Sequence, residues 1–318
     1  MDSFLIMLKN VLMFVLLALP GYILIKTKIL KQESSAVLSK VLSWVGMPFL
    51  ILSGTLGITI DGSTLLSLAI CTGLGIVFIL AQFFITLPIS LMERNKKTRG
   101  MMRFCQAFAN NGFLGLPLAM AVFGANSKEV MYLSILNILS NIFMYTLGAY
   151  LVSGDRKSIN IKKALLSPVL IAFVIGIILN LSGVVEYVPE ILTYSGHLKG
   201  LVTPLSMFVL GIKLAGVKFT SLFASWRMYY VSAIKLVVFP VAISAIMLAL
   251  GKLTVADPAM IKGMFIAFAV PTAGLASAFA DEYDGDATNA VAFTLGTTLI
   301  SIATIPILYT ALDWLLKL

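Results

Sequence analysis

Ten stretches of this chain are apolar over the roughly 20 residues that an α-helix needs to cross the hydrocarbon of a bilayer. They run near Phe4–Ile25, Val37–Leu56, Leu65–Leu91, Arg99–Phe123, Val130–Val152, Ala164–Leu181, Leu198–Ala215, Leu222–Leu250, Met260–Ala280 and Thr288–Leu315. Hydrophobic residues make up 59% of the 318, and charged residues only 12%. Soluble domains carry about 25% charged residues. So few charges cannot cover a globule, which excludes a soluble enzyme, a nucleic-acid binder and a disordered protein. The expectation is an all-α protein that crosses a lipid bilayer many times.

Turns between the segments carry the expected punctuation, at Gly62, Gly124, Gly154, Gly183, Gly251 and Gly285. The longest gap, Ser182 to His197, reads as a short polar turn containing Pro189. The first segment lacks the basic front and small-residue cleavage site of a signal peptide, so it reads as a retained span. Net charge is +9, and its placement is uneven. Lys26, Lys28 and Lys31 follow segment 1. Arg94, Lys96, Lys97 and Arg99 follow segment 3. Arg156, Lys157, Lys162 and Lys163 follow segment 5, and Lys213 and Lys218 end segment 7. The opposite loops hold far fewer cations: Lys128, Lys252 and otherwise only acids. Basic loops stay in the cytoplasm, so both termini are expected on the outer face of the inner membrane. The acidic run Asp281–Asp286 dissents by charge, but acids weigh little in that rule. It is wrongly spaced for an EF-hand and is expected to cap segment 10.

Much chemistry is absent. One histidine, His197, and two cysteines, Cys71 and Cys105, supply no zinc site and no disulfide framework. No metal, cofactor or nucleophile–base constellation emerges, so no enzyme is expected. The cysteines read as inert buried thiols.

The halves resemble each other at an offset near 159. Lys40, Leu42, Phe49 and Gly57 fall on Lys199, Leu201, Phe208 and Gly216, and Ala107-Phe108-Ala109 recurs as Ala267-Phe268-Ala269. Residues 1–152 and 153–318 then form two repeats of five spans. Five is odd, so the second repeat is inverted, an architecture of many secondary transporters. Both repeats are interrupted at corresponding places. Segment 4 reads Ala109-Asn110-Asn111-Gly112-Phe113-Leu114-Gly115-Leu116-Pro117, and segment 9 reads Val270-Pro271-Thr272-Ala273-Gly274, then Ser277. Proline removes a helix donor, glycine tolerates unwinding, and asparagine bonds freed backbone groups. Unwound backbone in a membrane must be buried in protein or line a watery cavity. The two breaks are therefore expected to meet, with helix N-termini that favour an anion.

The run N-N-G-F-L-G-L-P-L-A resembles the signature of the auxin efflux carrier family, which includes plant PIN carriers and bacterial organic-acid permeases. So do V-G-M-P-F-L in segment 2, K-L-V-V-F-P in segment 8 and V-P-T-A-G-L-A-S-A-F-A-D-E-Y in segment 9. The resemblance covers essentially the whole chain, which looks like a short bacterial member. It implies ten helices in two inverted repeats, with broken helices 4 and 9 that cross. Spans 1, 2, 6 and 7 would form a dimerising scaffold. Spans 3–5 and 8–10 would form a transport domain that moves as an elevator. It also implies that Asn110, Asn111, Pro117 and Pro271 are crossover residues.

For the site itself, Asn111 is the first choice as donor to a carboxylate, with Asn110 the alternative and the Gly112 backbone beside them. Thr272 and Ser277 offer hydroxyls, although all of these groups also suit capping of the broken ends. Asn137 and Asn141 share one helix face. Like Gln82 and Gln106, they read either as supports of the site or as interhelical glue. Lys235 either snorkels to the surface or places charge near the path. No segment has a central Asp or Glu, which weakens coupling through membrane carboxylates. The expected function is a carrier of a small organic anion. The rivals are a sodium-coupled symporter resembling bile-acid carriers, with sodium held by backbone, Asn and Ser oxygens, and a non-transporting sensor on the same fold.

Overall fold

Helix formation here follows from caps as much as from apolar content. The computed structural model describes residues 2–57, 62–216 and 225–317; Asp61, Lys218 and the segment start at Leu222 lie outside them. Its main helices are α1 (Asp2–Lys26), α2 (Ser34–Leu56), α3 (Gly62–Ile89), α4 (Lys96–Ala107), α5 (Asn111–Phe123), α6 (Lys128–Ser153), α7 (Pro168–Leu181), α8 (Glu190–Ala215), α9 (Trp226–Lys252), α10 (Pro258–Ala269), α11 (Ala276–Glu282) and α12 (Ala287–Leu315). No strand occurs among the described residues. Seven helices, α1, α2, α3, α6, α8, α9 and α12, are long and apolar enough to cross a membrane. The protein is thus an all-helical, multi-span membrane protein. The remaining apolar segments appear as the shorter α7 and as two divided pairs, α4 with α5 and α10 with α11.

Side-chain oxygens start several helices by accepting from orphan N–H groups. Asn95 does so for α4, Ser127 for α6, Ser167 for α7, Asp257 for α10 and Asp286 for α12. Asp286 thus caps as expected. The gap before segment 7 is a correction. Val184–Tyr187 forms one helical turn, and α8 starts at Glu190 with Pro189 as its cap. A proline at a helix start loses no bond and has the right φ already, so His197 lies inside the helix.

Three helices widen into a π turn just before a proline: Leu42–Gly46 before Pro48, Asn111–Gly115 before Pro117, and Ile234–Val238 before Pro240. Proline has no N–H to donate and its ring presses on the preceding turn. An extra residue in that turn relieves the clash without ending the helix.

Packing falls into two groups. In one, α1 lies along α8, and α2 packs on α7 and α8. In the other, α10 packs on α6 and α9, α3 on α6, and α12 on α4, α9 and α11. The groups touch where α1 meets α12 and α5, where α8 meets α5 and where α2 meets α6. Alpha-carbon hydrogens alone separate the α1 and α8 backbones: a Cβ on Gly211 would strike the Ala18 carbonyl, and one on Gly21 the Phe208 carbonyl. Small residues of this kind let membrane helices approach closely. In the same way Gly176 of α7 admits Thr55 of α2.

At one end of the molecule the loop after α3 is clasped to its neighbours. Arg227 bonds Glu93, Tyr230 donates to the Ile89 carbonyl at 2.7 Å, Lys97 pairs with Asp284 at 2.6 Å, and Thr98 donates to Asp286 at 2.7 Å. The acidic run that dissented by charge therefore shares an end with the basic loop and neutralises part of it. The Arg227 guanidinium on Glu93 holds its carboxyl below the usual glutamate range. A folded-state pKa below the unfolded one gives stability that is present above the unfolded value and is lost as pH falls through the folded value. Thermal unfolding in detergent should therefore show a Glu93→Gln variant less stable than wild type at neutral pH, with the difference closing in acid. A Gly211→Val variant should lose roughly 1–3 kcal/mol through overpacking, read as a lower melting temperature; an unchanged one would mean that α1 and α8 do not touch.

Candidate functional site

The two divided helix pairs meet backbone to backbone. After α4 the chain is extended at Phe108, and after α10 it is extended at Val270. The two extended pieces run antiparallel, with Ala109 opposite Thr272. Asn110 N–H donates to the Pro271 carbonyl at 2.8 Å, and Ala273 N–H to the Phe108 carbonyl at 3.0 Å. Each break thus supplies acceptors for donors freed in the other, as a buried backbone requires. Side chains complete the accounting. The Thr272 hydroxyl donates to the Cys105 carbonyl, one of the last carbonyls of α4. Thr272 N–H donates to the Thr297 hydroxyl of α12 at 3.2 Å. Asn110 caps α5: its side chain accepts from Phe113 N–H at 3.3 Å. Gly112 lets α2 approach, because a Cβ there would sit 2.8 Å from Met47 Cε.

Beside the paired breaks lies a cavity of about 390 Å³. Its floor is Ala109, Asn110, Gly112 and Gly274. Its walls are Ser43, Trp44 and Met47 of α2, Asn137, Ser140, Asn141 and Tyr145 of α6, and the start of α7. Among the described residues no acidic or basic side chain lines it. Its polar groups are amides, hydroxyls and exposed backbone, set among apolar side chains that include Phe113, Met144, Leu166 and Leu275.

The amide network around the cavity is incomplete. Asn141 Nδ2 donates to the Asn137 carbonyl at 2.7 Å and to Asn137 Oδ1 at 3.3 Å. That leaves Asn137 Nδ2 buried without a partner among the described residues. Asn111 Nδ2 donates to Ser140 Oγ at 3.2 Å, and its Oδ1 has no partner. Buried polar atoms left alone cost free energy, and these two lie at or next to the cavity.

The expected site residues divide by position. Asn110, Gly112, Asn137 and Asn141 line the cavity. Asn111 is buried beneath it, 2% exposed, and bonded to Ser140. Pro117 follows the π turn inside α5, and Pro271 and Thr272 serve the pairing of the breaks. Ser277 lines a separate cleft with Lys213. Gln106 Oε1 accepts from Ser90 at 3.0 Å, but its Nε2 and the buried amide of Gln82 in α3 have no partner among the described residues. Lys235 is fully buried in the π turn of α9 with its ammonium unpartnered, which rules out snorkelling. Cys71 and Cys105 are free and buried. Sequence reasoning misses Ser140, Tyr145 and Trp44, and places Lys213 only among the loop cations. Ser140 was legible as one turn on from Asn137; the others carried no signal.

Comparison with known proteins decides the family. The profile of the membrane transport proteins matches residues 6–309, nearly the whole chain. The chain belongs to that family, the auxin efflux carrier group. An uncharacterized transporter of Methanothermobacter thermautotrophicus is 29% identical over 216 residues, 65% of this chain and 67% of that protein. One of Methanocaldococcus jannaschii is 26% identical over 215 residues, 64% of this chain and 68% of that protein. Membership makes the chain a multi-pass membrane protein of a transport family.

The pairing of the breaks has a measurable cost of failure. A Thr272→Val variant strands the Cys105 carbonyl, at about 1–3 kcal/mol for a buried group. A lower melting temperature than wild type is expected; a Ser277→Ala control should shift it little.

Proposed function

We propose that this protein is a secondary transporter that carries a small organic anion, a mono- or dicarboxylate, through the membrane. The paired breaks and the amide-lined cavity form its binding site. The observation that carries this reading is the unpartnered Asn137 Nδ2 at a cavity of about 390 Å³ whose floor is the capped start of α5. An N–H donor without a partner favours an acceptor such as a carboxylate oxygen, and the start of α5 adds the positive end of a helix dipole. The lack of any acidic side chain in the cavity argues against a cationic substrate.

Movement in elevator fashion is supported by the packing of α1, α2, α7 and α8 as one group and of the remaining helices as another. On this reading the first group is the scaffold through which two copies associate, and the second carries the cavity. Ten spans in two inverted repeats (1–152 and 153–318) follow if α7 and both divided pairs also cross. The basic loops then put both termini on the outer side of the inner membrane. With no central carboxylate to couple protons, gradient- or potential-driven efflux is the simplest drive.

One observation favours a second reading. The unpartnered Asn111 Oδ1 is an acceptor, and with Ser140 Oγ and backbone carbonyls it offers oxygens to a sodium ion, making the protein a sodium symporter. Ligand-dependent stabilisation tests both. Purified protein screened against organic acids, with and without sodium, should gain melting temperature with a carboxylate. An Asn137→Ala variant should bind that carboxylate at least about tenfold more weakly, the loss of one buried hydrogen bond. Unchanged affinity would remove Asn137 from the site, and stabilisation only when sodium is present would favour the symporter.

A further inference from the structure

The breaks have a second open side. A narrow void of about 20 Å³, space for about one water, leads from Asn110 and Gly274 to Lys213. It gives onto a cleft of about 300 Å³ lined by Gln32 and Ser35 at the start of α2, Ser277 of α11 and Thr294 of α12. Lys213 stands at the junction and borders both. It comes from the last turn of α8, and its ammonium donates to the Gly274 carbonyl at 3.0 Å.

Three features of this contact stand out. The bond to Gly274 is the ammonium's one hydrogen bond among the described residues, although it has three N–H groups to give. Among the described residues no acidic side chain lines the void, the cleft or the amide-lined cavity across the break. And Gly274 and Asn110 border both the void and that cavity, so the lysine's carbonyl partner forms part of the wall between them. A half-buried cation whose one bond among the described residues goes to a neutral carbonyl bears a desolvation cost that no acidic side chain among them offsets. Amides by themselves separate a carboxylate from a carboxamide weakly, since each can both donate and accept; a charge-assisted bond separates them strongly.

We propose that Lys213 is the specificity-determining cation of the transport site. A carboxylate at the breaks draws its ammonium off the Gly274 carbonyl and pairs with it, joining the cleft to the amide-lined cavity. The void of about 20 Å³ has no room for a carboxylate while the bond to Gly274 is made, so a carboxylate that pairs with Lys213 at the breaks has to displace that bond. This rests on the reading of the protein as an organic-anion carrier and names the group that makes it select an anion.

The test is calorimetric titration of purified wild type, Lys213→Met and Lys213→Arg with acetate, malonate and succinate, and with acetamide, malonamide and succinamide. Wild type should bind at least one acid more tightly than its amide. Lys213→Met should bind that acid at least tenfold more weakly with amide binding unchanged, and Lys213→Arg should keep the preference. If Lys213→Met proves polydisperse on gel filtration, Lys213→Gln is read in the same way. Wild-type affinity for the acid in Lys213→Met, or equal losses for acid and amide, overturns the role of Lys213 and leaves the carrier reading standing. If wild type binds none of the acids, the carrier reading itself falls and this inference with it.

Discussion

A peptide group without a partner has no recourse to water inside a bilayer, and the centre of this protein is a solution to that problem. Two helices stop short and expose their last carbonyls and first amides. Each would be intolerable alone. Set antiparallel, Phe108–Asn110 and Pro271–Ala273 exchange hydrogen bonds like two strands reduced to a single bridge. Thr272 ties the pair to α4 and α12, and Asn110 ties it to α5. The cavity, its amide lining and the void behind it all take their positions from this pairing. A site built this way presents backbone and short polar side chains in a fixed arrangement, with little conformational freedom to lose when a ligand arrives.

The chemistry on the two sides of the breaks differs. On one side, α6 presents Asn137, Ser140 and Asn141, neutral groups that can donate or accept. On the other, α8 presents a single ammonium. Orientation and charge are thereby supplied by different helices, and those helices belong to different packing groups. A ligand that engages both faces is held by both groups at once.

How much of this was legible depended on whether the cause was local. The interruptions were, because Asn110-Asn111-Gly112 and Pro271-Thr272-Ala273-Gly274 are hostile to a helix wherever they occur. Their meeting followed from the correspondence of the repeats and the demands of buried backbone. Asn111 was preferred to Asn110 for contact with a ligand, yet Asn110 borders the cavity and Asn111 lies beneath it. Which of two neighbours faces the cavity is set here by the break itself, since Asn110 is a non-helical cap and Asn111 the first residue of the π turn, and no periodicity reveals that. Lys235 presented the same difficulty in the π turn ahead of Pro240. Lys213 was counted with the loop cations because its partner, Gly274, is 61 residues away. The polar stretch through Pro189 and His197 was read by its low hydropathy, whereas proline at a helix start favours the helix it was taken to interrupt.

The close contact of α1 and α8 has a mechanical consequence. With Gly21 under the Phe208 carbonyl and Gly211 under the Ala18 carbonyl, each helix has a notch into which the other's backbone is keyed. Sliding either by one residue would bring a side chain where only hydrogen fits, so the two behave as one beam. Lys213 projects from the tip of that beam, two residues beyond the notch at Gly211, so its anchor point is stiff even though its own stem is flexible. Any displacement of the breaks is then measured against a fixed ruler.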